Sequence, residues 1–246
     1  MIMHGNQPRT LAETAGERAY RRIRDDIIAG ALAPSQRLRL DALKETYGVS
    51  VSTLRELLNR LTSEGLIVAE GARGFEVASI SVQNFKEVAN LRQLLESHAL
   101  EASFAGGDME WEGRVVAAHH KLSVVEARLL AGNRTGTDVW KRYDFEFHHA
   151  LLSACGSKVL LDTHSAVFDK YLRYLIIAVV FRGEVTAREH RALLECALKR
   201  DVRTAKDVLV RHIQECVAFT LAKGQIAGNA TGRTTMRGKR SALGVD

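Results

Sequence analysis

Proline is nearly absent: Pro8 and Pro34 are the two in 246 residues. Aromatic residues make up only 6%. A long proline-free stretch with few aromatics favours a mostly helical protein over a sandwich or barrel. Cysteine is scarce as well. Cys155, Cys196 and Cys216 are scattered singly, which excludes a C-x-x-C pair and leaves one thiol unpaired under any disulfide scheme. With no secretory leader at the start, free thiols in a reducing cytoplasm are expected. The longest uncharged apolar run, 174–181, is eight residues, too short for the roughly 20 that span a bilayer. A soluble, cytoplasmic chain without a membrane partner is the expectation.

What is present is ordinary for a globular protein: 46% hydrophobic and 26% charged residues. The net charge of +6 permits nucleic acid as a partner. Its distribution says more than its size. Residues 1–78 hold 11 basic and 10 acidic side chains, and residues 79–222 hold 19 and 18. The surplus lies in the last 24 residues. Any DNA contact therefore depends on where individual arginines sit.

The first 16 residues have no sustained period and read as a flexible arm. From Glu17, the stripe Ala19, Ile23, Ile27, Ile28 predicts a helix closed by Gly30 and Pro34. A short helix from about Leu40 to Tyr47 ends at Gly48. Ser50 or Ser52 then caps a third helix with the stripe Leu54, Leu57, Leu58, Leu61. Leu66–Val68 and Phe75–Val77 read as two strands around a glycine-flanked tip. After Ser81 the strand signals vanish, and six helices are expected at about 81–105, 109–132, 137–155, 157–181, 184–199 and 202–223. The last residues, 224–246, lack an apolar stripe and read as a flexible basic tail. The fold class is mainly α: a winged helix-turn-helix over 17–78, with a small hairpin wing, then an all-α bundle over 81–223.

Two short helices around Gly48-Val49-Ser50, followed by a hairpin, have a physical use. A helix fits the major groove, and residues near its N-terminus reach base edges. Leu43, Val49, Leu54, Leu57 and Leu58 form the expected small core, leaving Ser50, Ser52, Thr53, Arg55 and Asn59 outward. In the second half, Asp144 and His148 share a helix face one turn apart. His190 and His212 lie 22 residues apart about a corner near Asp201, so antiparallel packing would bring both rings level. Neutral imidazoles with one carboxylate suit Zn²⁺ first, and also Ni²⁺, Mn²⁺ or Fe²⁺. His149, next to His148, points about 100° away and is not expected to join them.

The run Leu38-x-Leu40, Gly48-Val49-Ser50-Val51-Ser52-Thr53-Leu54-Arg55-Glu56-Leu57-Leu58, Glu64-Gly65-Leu66-Ile67 and Arg73-Gly74-Phe75 resembles the GntR family of bacterial transcriptional regulators. Val51 and Thr53 depart from the basic residue and proline usual there, and the pattern resembles the FadR-like branch that includes the carbon-starvation-induced regulator. The resemblance implies base readout by Arg55, phosphate contacts from Ser50, Ser52 and Thr53, a place for Asn59 on the reading face, and DNA contacts from Arg37 and Arg39 at the start of the second helix and from Arg73 at the wing tip. Arg18, Arg21, Arg22 and Arg24 are expected on the exposed face of the first helix. Arg92-x-x-Leu95-Glu96, Asp144-x-x-Phe147-His148, Glu189-His190 and His212 resemble the FCD effector domain. That implies Asp144, His148, His190 and His212 as metal ligands and a small carboxylate effector held with help from Arg92 or Arg173. For Arg92 an ion pair with Glu96, one turn on, is an equal reading.

The function expected is a homodimeric, ligand-responsive transcriptional regulator, repressing from an imperfect palindromic operator on double-stranded DNA. The alternative from another class is a metal-dependent hydrolase with an N-terminal DNA-docking module. No general base beside the proposed metal stands out for that chemistry. A non-specific DNA-coating protein is a third reading.

Overall fold

Thr14 opens the first helix: its hydroxyl accepts the amide of Glu17 at 3.1 Å, and α1 runs Ala15–Ile28. The computed structural model describes residues 13–133, 137–178, 181–224 and 226. Most of the expected N-terminal arm and of the basic tail lies outside them. α2 (Leu40–Tyr47) ends at Gly48, whose φ of 67° is the left-handed cap that glycine adopts without a Cβ clash. Of the two candidate caps, Ser50 is the one used, its Oγ accepting from Thr53 N at 3.1 Å to start α3 (Val51–Ser63). α1 and α3 bury Ile23, Leu54, Leu58 and Leu61 completely.

The wing has one strand more than expected. β1 (Arg37–Leu38), β2 (Ile67–Ala69) and β3 (Phe75–Val77) form an antiparallel sheet in the order β1-β3-β2, with Leu38 opposite Phe75 and Val68 opposite Glu76. Arg37 therefore lies on a strand and Arg39 is the N-cap residue of α2, rather than both opening that helix. Two residues are too few to show an alternating pattern. Leu38 is extended because it buries against Phe75 across the sheet.

The helical domain consists of α4 (Val82–Gly106), α5 (Met109–Leu130), α6 (Thr137–Leu152), α7 (Lys158–Ala178), α8 (Glu184–Lys199) and α9 (Val202–Ala222). Ser81, Asp108 and Asp201 cap α4, α5 and α9, each side chain accepting the amide three residues on. α4 runs through the middle against α6, α7 and α9, while α5 packs on α6 and α8. Ile226, within the expected tail, is buried in this core.

At the α8–α9 corner Arg200 takes a left-handed φ of 57°, which costs a non-glycine residue about 1–2 kcal/mol. Its guanidinium offsets this by stacking 4.3 Å from the Trp111 ring centroid and donating to Gly107 O at 2.9 Å and Glu112 at 2.7 Å. A Cβ on Gly107 would sit 2.5 Å from Trp111 Cε3 and 2.9 Å from Arg200 Nη1. Gly107→Ala is expected to destabilise by about 1–3 kcal/mol through overpacking, read as a lower urea midpoint at unchanged slope.

Candidate metal centre and recognition helix

Asp144 and His148 on α6, His190 on α8 and His212 on α9 converge. One potential ligand atom from each lies within 4.8 Å of all the others, and all four side chains are buried. The rings of His190 and His212 are 4.9 Å apart, and both lie within 5.7 Å of the His148 ring. Antiparallel α8 and α9 bring the last two level.

Each imidazole is aimed from behind by a carboxylate. His148 Nδ1 lies 2.9 Å from Glu96 Oε2, His190 Nδ1 2.6 Å from Glu126 Oε1, and His212 Nδ1 2.8 Å from Glu189 Oε2. A ring N–H donating to a carboxylate places the remaining lone pair on Nε2, and orients it. His148 Nε2 and His190 Nε2 are buried with no directed hydrogen bond, although His190 Nε2 is 3.2 Å from Asp144 Oδ1. Such orphaned inward-facing nitrogens fit a cation between them.

Burial opposes ionisation of Asp144, yet His190, His148 and Arg92 hold its carboxyl below the ordinary range. Burial lowers the pKa of His148, and burial, then the charges of His190 and Arg92, holds that of His212 well below its ordinary value. Burial also acts against a charge on His190, but Asp144 and Glu126 outweigh it and push its pKa up to about 9.

Arg92 makes the ion pair expected with Glu96. Its Nε donates to Glu96 Oε1 at 2.6 Å, and its side chain lines the small cavity beside the four ligands. Arg173 is placed elsewhere: its Nη2 donates to Ala78 O at 2.6 Å, at the junction of the two domains. The cavity's second guanidinium belongs to Arg182, which bonds Glu189 and, at 3.3 Å, the carbonyl of His212. Tyr171, Thr186 and Cys216 also line this space. Its volume of about 10 Å³ accommodates one water-sized occupant.

Glu126, Glu189 and Arg182 had no assigned role in the sequence reading. Glu189 was visible beside His190, yet adjacency sends it off at 100°, toward α9. Glu126 carries no local signal, because only the packing of α5 on α8 brings it to His190. His149 stacks on Phe145 and His164, away from the centre.

On the winged domain, Ser50, Ser52, Arg55 and Asn59 are exposed and Thr53 is half-buried. Ser50 Oγ contacts Ser52 Oγ at 2.8 Å and Thr53 Oγ1 at 3.0 Å, gathering three hydroxyls at the start of α3. Among the described residues Arg55 has no ion pair or hydrogen bond, whereas Arg60 on the same helix binds Glu17 and stacks on Tyr20. Arg37, Arg39 and Arg73 are exposed. One arginine of α1 departs from expectation: Arg24 pairs with Asp169 of α7 and Glu64 instead of facing solvent.

Residues 15–77 match the model of the gntR family of bacterial regulatory proteins, and residues 87–215 match the FCD domain. The chain belongs to the GntR family. Its GntR relatives include the HTH-type transcriptional regulator BphR of Paraburkholderia xenovorans, 33% identical over 82% of this chain and 83% of that one. The HTH-type transcriptional repressor GlaR of Escherichia coli is 32% identical over 85% and 96%. The solved structure of E. coli McbR/YncC shares the fold, with a TM-score of 0.73 at 17% identity, covering 86% of this chain and 99% of that one. GntR membership makes this chain a DNA-binding transcriptional regulator and not an enzyme. The family does not favour the hydrolase reading, and Glu96, Glu126 and Glu189 beside the centre each hold a histidine nitrogen. Among the described residues no helix is long and apolar enough to cross a membrane.

Proposed function

We propose that this regulator is a homodimeric repressor. Its helical domain holds a divalent metal, zinc first, through Asp144, His148, His190 and His212, and takes a small carboxylate effector beside it. The observation that carries the reading is the set of three carboxylate-backed imidazoles converging with Asp144. Borderline-soft nitrogen donors with one hard oxygen favour Zn²⁺ over Mg²⁺ or Ca²⁺, with Ni²⁺ and Mn²⁺ next. The bound metal would supply Lewis acidity toward a carboxylate oxygen. Arg92 and Arg182 add guanidinium forks matched to carboxylate geometry. Because the cavity admits only one water-sized occupant, an effector has to part the side chains that line it, and a ligand that favours one arrangement over another is what a switch requires.

At the other end, the hydroxyls of Ser50, Ser52 and Thr53 and the exposed Arg37, Arg39 and Arg73 suit backbone phosphates, leaving Arg55 and Asn59 for base edges. A twofold dimer reads an imperfect palindrome, with affinity falling steeply as salt rises. Repression agrees with the name borne by GlaR.

A thermal-shift screen of short carboxylates, with and without chelator, tests the reading together with anisotropy on an operator recovered from random DNA. Zinc should raise Tm. A short dicarboxylate should raise it further only without chelator, should release DNA, and should be recovered unconsumed. Indifference to zinc and chelator removes the metal centre from the proposal, and turnover of the acid removes the switch.

A further inference from the structure

We infer that Arg24 is a positioning residue that ties the recognition helix α3 to the wall of the metal cavity, through the chain Glu64–Arg24–Asp169. The inference rests on reading α3 as the DNA-reading element and α7 as a cavity wall.

α7 has two working faces. Inward, Phe168 and Tyr171 are fully buried, their ring centroids 4.2 Å and 4.6 Å from the guanidinium carbon of Arg92, and Tyr171 lines the cavity. Outward, the neighbouring Asp169 pairs with Arg24 of α1, and Arg173 donates to Ala78 O. Lys170 lies over Gly65, its Nζ 3.2 Å from where a Cβ would be. Successive helix residues turn by 100°, so adjacent side chains touch different partners yet move with the same backbone.

Arg24 completes the path. Its Nε is 3.9 Å from Glu64 Oε2, and Glu64 is the C-cap residue of α3. The other Glu64 oxygen accepts the Tyr20 hydroxyl and lies 3.7 Å from Arg60 Nε. One guanidinium therefore touches both the cavity-bearing helix and the end of the recognition helix. The Arg173–Ala78 bond is a second tie, since Ala78 N donates to Leu66 O and Leu66 N to Leu61 O of α3, but it runs through backbone groups that a side-chain change at Asp169 leaves in place. Arg24 is 28% and Asp169 16% exposed, and the Asp169 Oδ2 that faces Arg24 is shielded from solvent, so the pair is part-buried. What it sets is the placement of α3 when α7 moves.

Hydrogen exchange on the full chain tests this, following the segments 60–67 and 165–175. Two perturbations act on the cavity: chelation of zinc-loaded protein, and Phe168→Leu on the inner wall. In the parent chain Phe168→Leu should alter exchange in both segments, and chelation should do the same. In the Asp169→Asn background the response at 60–67 should shrink at least about threefold while that at 165–175 persists. Asp169→Glu should restore it, with Tm within about 4 °C throughout the Asp169 variants. Arg24→Gln serves as the second variant and should repeat the Asp169→Asn result. If chelation does nothing but Phe168→Leu still reaches 60–67 through Asp169, the link stands and the metal reading fails. An equal response at 60–67 with and without Asp169, or no response there to either perturbation in the parent chain, overturns the link.

Discussion

His212→Ala is expected to empty the metal centre and lower Tm by about 5–10 °C. A ligand bound only to the native state stabilises it by RT ln(1 + [L]/Kd), about 2.7 kcal/mol at a hundredfold excess over Kd. For a chain of this size each kcal/mol moves Tm by about 2–4 °C. His212 is the cleanest of the ligands to remove. Its partner Glu189 keeps Arg182, so no carboxylate is left buried alone. His190→Ala is expected to cost more, because Glu126 and Asp144 would both lose the imidazole between them. The discriminating control is chelation: it should lower the Tm of the parent chain to that of His212→Ala and leave the variant unmoved. Glu126→Gln should keep the site but weaken it by about 10–100-fold, since an outer carboxylate sets the basicity and aim of its histidine. Unchanged metal stoichiometry in His212→Ala, by elemental analysis, would overturn the site.

Arg55→Ala should abolish operator preference while metal content and Tm stay at parental values. A bidentate arginine–guanine contact discriminates by about 1–3 kcal/mol. A dimer makes it twice, so the ratio of specific to non-specific affinity should fall by about 30-fold to 10⁴-fold. Stability is spared because Arg55 is exposed and has no ion pair or hydrogen bond among the described residues. Arg60→Ala is the informative contrast: it removes contacts to Glu17 and Tyr20, so stability should fall with less loss of specificity. Competition binding of operator against scrambled DNA at two salt concentrations separates the effects, since phosphate contacts set the salt slope and base contacts do not. Retained preference in Arg55→Ala would sink the assignment of α3 as the reading helix.

Much of this was open to a reader of the chain alone, for local reasons. The Leu54, Leu57, Leu58, Leu61 stripe exposes Arg55 and Asn59 by helical period, and Ser50 declares the start of α3. Asp144 and His148 share a face because four residues make one turn. The helix ends after Ser81 follow from capping side chains and glycines, and the structure starts α4, α5, α6, α7, α8 and α9 within a residue of the expected positions.

What stayed hidden depends on distant segments meeting. β1 exists because Leu38 finds Phe75 across 36 intervening positions, and that moved Arg37 and Arg39. Arg173 and Arg182 are chemically equal candidates for the cavity, and the packing of α7 sends the first to Ala78 O while the second reaches His212. Arg24 resembled its neighbours on α1 until α7 brought Asp169 to it.

The chain by itself determined a GntR-type winged helix, a helical domain and four residues of metal-ligating type at suitable intervals, because helical period, capping and side-chain chemistry act over a few residues. Only the tertiary structure decided which carboxylate stands behind each histidine, which arginines line the cavity and which ones cross between the two domains. Those choices are made by helix packing, where a 100° turn or a neighbouring helix places identical side chains in different surroundings.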